Sequence, residues 1–308
     1  MAIETDWLRG CATALVTPFK QDGSIDEERL VSLAERQIKE GVRLLVPCGT
    51  TGESATMTEE EDARVIRLTI DVARKLSARV IAGTGSNSTA AAIDYSVNAK
   101  EMGADAVLVV APFYNKPTQA GLYAHFRAVA EAVNPLPVVV YNVPGRTSSN
   151  ISAQTTLRLA REVENISAVK EASGNLSQMM EILRERPEGF RVLSGDDAVT
   201  LPLMALGADG VISVVSNEAP ALMAEIVNLA LAGKWEEARA AHFRLLPLME
   251  ANFIESSPGP VKAAMAMMGL LEENLRLPLV PVEEKTRETM RRILSDTGLL
   301  KENSHAAS

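Results

Sequence analysis

Eight short runs of apolar, mostly β-branched residues recur through the first two thirds of this chain. Neighbouring runs start roughly 20 to 35 residues apart, the length of a strand plus a crossover helix. They occupy residues 11–19, 44–50, 78–85, 106–112, 137–143, 166–172, 190–195 and 210–216. Runs that are apolar on both faces suit a parallel sheet covered by helices. The segments between them have helical periodicity, over residues 26–40, 58–76, 88–102, 119–132, 153–163, 176–186 and 197–206. In the first, Leu30, Leu33, Ala34 and Ile38 share one stripe. The second opens on a capping box, Thr58 with Glu61, and the third stops before Gly103. Eight such alternating units point to an α/β fold, a (β/α)8 TIM barrel. A doubly wound open sheet is the runner-up. Its dinucleotide fingerprint is only partly present, because the stretch 83–88 has two of the three glycines.

After residue 216 the strand signals stop, and residues 219–232, 235–253, 260–271 and 282–300 all read as helices. The first of these can close the barrel. The expected organisation is therefore a barrel over residues 1–232, a three-helix appendage over 233–300, and a polar, disordered tail over 301–308. Forty acids against 31 bases leave a net charge of -9. That argues against nucleic acid or an anionic membrane as partner. The N-terminus has no basic and apolar signal-peptide pattern, and no run is long enough to span a membrane. Two cysteines, Cys11 and Cys48, do not make a disulfide framework, and a reducing cytoplasm is the simplest reading. His125, His242 and His305 lack metal-ligand spacing, and the first two are expected on helix surfaces.

A barrel keeps its active site at the C-terminal ends of its strands. The sixth run ends in Lys170, and a lysine there costs free energy unless it has a use. One use is Schiff-base chemistry on a carbonyl substrate. The other reading is a snorkelling ammonium, and position alone favours it. Tyr141 lies near the same end of the adjacent run, on a strand about 4.8 Å away, so a phenol would sit beside the amine if both point inward. That pairing suits acid-base work on a carbinolamine and an enamine, although Tyr141 could equally fill the barrel core. Gly49-Thr50-Thr51-Gly52 lies between a strand and a capped helix, where exposed N–H groups can hold a carboxylate, or where the threonines simply close a turn. Arg146 follows a Pro-Gly turn and could fork onto a substrate carboxylate, though a loop arginine is by default solvated. Lys262 lies in an amphipathic helix and reads as structural.

Taken together, Thr17-Pro18, Gly49-Thr-Thr-Gly-Glu-Ser54, Pro112-Phe-Tyr-Asn115, Tyr141-Asn-Val-Pro-Gly-Arg146, Val169-Lys-Glu-Ala172, Ser194-Gly-Asp-Asp197 and Gly210-Val-Ile-Ser213 resemble the dihydrodipicolinate synthase / N-acetylneuraminate lyase family. The resemblance runs from about residue 10 to 300, with a motif at nearly every strand end. It implies a class I aldolase-type condensation of pyruvate with L-aspartate 4-semialdehyde, serving lysine and diaminopimelate biosynthesis. By resemblance, Lys170 forms the imine, and Thr50, Tyr141 and Tyr114 relay protons, with Tyr114 reaching in from a neighbouring subunit. Thr51 and the backbone around it hold the pyruvate carboxylate, Ile212 offers its carbonyl, Gly195 lies in the substrate site, and Arg146 binds the semialdehyde carboxylate. The family pattern implies no metal or organic cofactor and a homotetramer built as a dimer of dimers. Some members are inhibited by lysine. Ala55 and Asn87 match that site, but Glu59, Asp62, Ala91 and Phe113 depart from the lysine-sensitive pattern, so weak or absent feedback is expected.

Two other functions remain open on these residues. One is a pyruvate-yielding lyase or dehydratase acting on a 2-keto-3-deoxy sugar acid or a sialic acid through the same lysine. The other is a non-catalytic barrel, against which the full set of Lys170, Tyr141, Thr50 and Tyr114 speaks. Fold alone does not separate them.

Overall fold

The computed structural model describes residues 4–300, so the expected tail 301–308, including His305, lies outside the described residues. The eight runs form eight parallel strands: β1 (Gly10–Ala14), β2 (Leu44–Val46), β3 (Arg79–Gly83), β4 (Ala106–Val110), β5 (Val138–Asn142), β6 (Ile166–Glu171), β7 (Arg191–Ser194) and β8 (Gly210–Ser213). They pair in sequence order and close through β1 and β8 into a barrel. The helices around it are α1 (Glu27–Lys39), α2 (Glu59–Lys75), α3 (Thr89–Met102), α4 (Gln119–Val133), the single turn α5 (Pro144–Thr147), α6 (Ala153–Glu162), α7 (Leu176–Glu185), α8 (Asp197–Ala205) and α9 (Pro220–Leu231). Three more follow: α10 (Trp235–Ala251), α11 (Gly259–Met267) and α12 (Glu284–Asp296). Of these, α10 packs on α8 and α9, and α12 packs on α10 and α11.

The strands show why their sequences are apolar throughout. Ala12, Leu44, Ile81, Leu108, Val139, Ala168, Leu193 and Ile212 fill the barrel interior together with Tyr141. Alternate residues, among them Leu45, Val80, Val107, Val140, Val169 and Val211, join the core between sheet and helices. Both faces are therefore dry, as a covered parallel sheet requires. The capping box at Thr58 is complete. The Glu61 N–H donates to Thr58 Oγ1 over 3.3 Å, and the Thr58 N–H donates to Glu61 Oε2 over 2.9 Å.

Every strand stops before the end of its apolar run, and three of them, β1, β2 and β8, stop three or more residues short. After β1 the Val16 N–H donates to the Asn217 side chain instead of a strand. Past β2, Cys48 turns left-handed at φ 56°. Past β8 the chain enters a 3-10 turn, Val215–Asn217. Helix α11 likewise ends at Met267 rather than 271, and α12 is shorter at both ends than the stretch 282–300. The two histidines correct the expectation of surface positions. His125 is 4% exposed and His242 5%. Helix α4 packs against both α3 and α6, so its flanks are covered along with its inner stripe. His125 on α4 accordingly meets α3, where its Nδ1 lies 2.9 Å from Thr89 Oγ1.

Candidate active site

The C-terminal strand ends surround a cavity of about 710 Å³. Lys170, the penultimate residue of β6, reaches it from inside the barrel and is 5% exposed. Its register partner on β5 is Tyr141. The Lys170 ammonium nitrogen lies 4.2 Å from the centre of the Tyr141 ring. Burial pulls the Lys170 ammonium down to about 8, with the cationic Arg146 working in the same direction and Asp197 opposing it. Burial also pushes the Tyr141 phenol up to about 12. The result is an amine far easier to deprotonate than an ordinary lysine, beside a phenol that keeps its proton. An amine must be neutral to attack a carbonyl, and the water that leaves the carbinolamine needs a proton from a donor.

Asp197 opens α8 and is 2% exposed. Its Oδ2 accepts the N–H groups of Val214 and Val215, at 3.0 and 2.8 Å, so it is held in place, near enough to act on the charge of Lys170. In the sequence Asp197 is one member of the Ser194–Asp197 motif, which assigns it no role by itself. Its signal was a second acid at a strand end, next to an acid that caps the helix. Gly195 follows β7. A Cβ there would lie 2.7 Å from the Ala172 Cβ and 3.1 Å from the Lys170 Cε. The missing side chain is thus the slot in which the lysine stem lies.

Thr50 and Thr51 line the cavity from the loop after β2, Thr51 buried and Thr50 open to it. Arg146 lines it from α5, a single helical turn where the sequence suggests only a loop. Proline at the first position of that turn sets the helical φ. Ile212 is fully buried in the barrel interior, and the β8-end residue lining the cavity is Val214. Tyr114 is not brought to the cavity. It stands in the loop after β4 with φ 72° and is 89% exposed.

A family model of the dihydrodipicolinate synthetase family matches residues 7–297. The chain belongs to the dihydrodipicolinate synthetase family. It is 52% identical over 298 residues to a 4-hydroxy-tetrahydrodipicolinate synthase of Koribacter versatilis, covering 96% of this chain and 97% of that one. The crystal structure of dihydrodipicolinate synthase from Aquifex aeolicus superposes with a TM-score of 0.93 at 45% identity, over 96% of this chain and 100% of the other. A structure described as the first monomeric dihydrodipicolinate synthase variant also reaches 0.93, at 42% identity and coverages of 96% and 99%. The sugar-acid reading is not favoured by these relatives. Among the described residues no helix is long and apolar enough to cross a membrane.

Proposed function

We propose that this dihydrodipicolinate synthetase family chain condenses pyruvate with L-aspartate 4-semialdehyde through an imine on Lys170. The product is 4-hydroxy-tetrahydrodipicolinate. The observation that carries the reading is the buried, easily deprotonated Lys170 at a strand end, in contact with Tyr141 inside the cavity. The amine adds to the ketone carbon, and the ketone oxygen leaves as water. Loss of a methyl proton gives the enamine, because the protonated imine takes up the electron pair. The enamine carbon then attacks the aldehyde, whose oxygen gains a proton. Ring closure on the substrate's own amine releases Lys170. Tyr141 and Thr50 face the steps that move protons. Thr51 and the adjacent N–H groups suit the pyruvate carboxylate, and Arg146 suits the carboxylate of the semialdehyde.

Tyr114 completes the relay from a second copy of the chain. An aromatic residue held at φ 72° and almost fully exposed supports this role, since a bulky residue there is strained unless something uses it. Met180 and Leu206, both exposed, line a second surface pocket, which supports a second contact and hence a tetramer. Two free buried cysteines are in keeping with a cytoplasmic enzyme.

The test is trapping. Protein incubated with pyruvate is reduced with borohydride, weighed intact and mapped by peptide. One reduced pyruvyl adduct on Lys170 is expected, and its absence or its location elsewhere overturns the mechanism. Arg146→Ala then separates acceptors. It should cripple turnover with aspartate semialdehyde while Lys170 still forms the pyruvate adduct.

A further inference from the structure

The Thr50–Thr51 loop is tied to the C-terminal helices by a buried charge cluster. Glu53 ends the loop in a left-handed conformation, φ 57°, unusual for a residue with a side chain. Its N–H donates to the Thr50 carbonyl over 3.1 Å. Its side chain turns inward and pairs with Lys262 of α11, and both side chains are fully buried. The second carboxylate oxygen accepts the Arg276 N–H over 3.3 Å. Lys262 also donates to the Asn274 carbonyl over 2.9 Å and lies 4.4 Å from the centre of the Phe19 ring. The Arg276 guanidinium lies at the same distance from that ring, and it grips the Thr56 carbonyl and the Glu61 carboxylate.

On the barrel side, Thr17 Oγ1 donates to the Gly52 carbonyl over 2.7 Å. Gly83 packs so close to the Cys48–Gly49 peptide that any Cβ would strike it. The loop is therefore fixed from the barrel and from the appendage. A buried ion pair is a poor stabiliser compared with apolar residues of the same volume, but it fixes geometry, because each charge tolerates few alternative positions.

We propose that Glu53 and Lys262, with Arg276, are positioning residues that set the Thr50–Thr51 loop for pyruvate, which makes the C-terminal helical region a working part of the site. The proposal rests on the roles given above to Thr50 and Thr51. It predicts a selective effect on one substrate, which a merely structural pair would not give.

Single replacements leave a lone buried charge and threaten the fold, so the test uses Glu53→Gln/Lys262→Met, which removes both charges at similar volume. Arg276→Gln, which acts from a partly exposed position, is the second variant. In the double variant the KM for pyruvate should rise about tenfold and kcat should fall, as expected of a loop displaced by a fraction of an ångström. The KM for the semialdehyde, held by Arg146 on another strand end, should stay within about twofold. Arg276→Gln should show the same selectivity at about threefold. An unchanged pyruvate KM in the folded double variant, or an equal rise for both substrates, overturns the proposal. Should the double variant not fold, an unchanged pyruvate KM in Arg276→Gln overturns it. Borohydride trapping on the wild type separates the two levels of the argument. No adduct on Lys170 removes the pyruvate reading and this proposal together. A normal wild-type adduct with unaltered variant kinetics removes only the positioning role.

Discussion

Replacing Gly195 with alanine tests whether the lysine stem is held as tightly as the geometry says. Gly195 does not adopt a positive φ, so alanine costs nothing in backbone conformation, and the effect is steric. The new Cβ would lie 2.7 Å from the Ala172 Cβ, and 3.1 and 3.2 Å from Cε and Cγ of Lys170. Ordinary carbon contacts are about 3.5–4.0 Å, so the stem must move by roughly half an ångström or more. Overpacking of this kind costs ~1–3 kcal/mol of stability. In a chain of this size that lowers the melting midpoint by a few degrees. The catalytic loss should be larger, because a nucleophile misplaced by up to 1 Å loses on the order of a hundredfold in rate. The assay pairs the borohydride-trapping rate with pyruvate against the melting midpoint. The expected result is a folded protein, slightly less stable, that traps pyruvate about a hundredfold more slowly. A folded Gly195→Ala that traps at the wild-type rate would refute the claim that this glycine makes the slot.

Three further outcomes are expected. With its pKa near 8, about a tenth of Lys170 is neutral at pH 7, against about 0.03% for an ordinary lysine. The trapping rate should therefore climb with pH and level off just above 8, and Asp197→Asn should move that inflection to lower pH, since Asp197 favours the charged amine; a rate still rising at pH 10 sinks the idea. Lysine should inhibit weakly, with no half-effect at sub-millimolar concentration, because Glu59, Asp62, Ala91 and Phe113 depart from the lysine-sensitive pattern, and a titration of activity with lysine decides. Acid should weaken the fold through His125, whose burial lowers its pKa from 6.5 to about 4. The unfolded chain binds that proton first, so stability is full above about pH 6.5 and is lost as pH falls toward 4. The loss by pH 5 is about 2 kcal/mol by this linkage, and urea melts of His125→Gln should show a pH dependence smaller by that amount.

The barrel was legible because parallel strands covered on both faces need long apolar runs, and the helices between them carry local signals such as the Thr58–Glu61 box. Lys170 and Tyr141 were legible as residue types out of place in such runs. Strand ends were not, since β1, β2 and β8 stop where a side chain, a left-handed residue or a 3-10 turn takes over the backbone groups, and apolarity continues past that point. The Glu53–Lys262 pair was hidden for a different reason. Its members are far apart in sequence, and each alone reads as a charged residue in a loop or on a helix. Only closure of the fold makes them a buried pair. His125 was misread because a single helix does not reveal that its neighbours cover its flanks.

The two strands that bear the reacting groups divide the work by face. Side chains alternate across a strand, so Tyr141 and Lys170 point into the barrel while Asn142 and Glu171 point out toward the helices. Asn142 and Glu171 are both fully buried. Glu171 accepts hydrogen bonds from the Asn142 amide at 3.1 Å, the Ser173 N–H at 2.7 Å and the Gln178 amide at 3.2 Å. Asn142 in turn accepts the Ile151 N–H over 2.9 Å. A one-residue slip between β5 and β6 would turn lysine away from the cavity and bury its charge among the helices. It would also break the Asn142–Glu171 bonds that join the two strands, leaving buried polar groups unsatisfied. The outer pair therefore makes the inner register costly to lose. The carboxylate beside the reactive lysine in sequence serves that lysine's position rather than its proton.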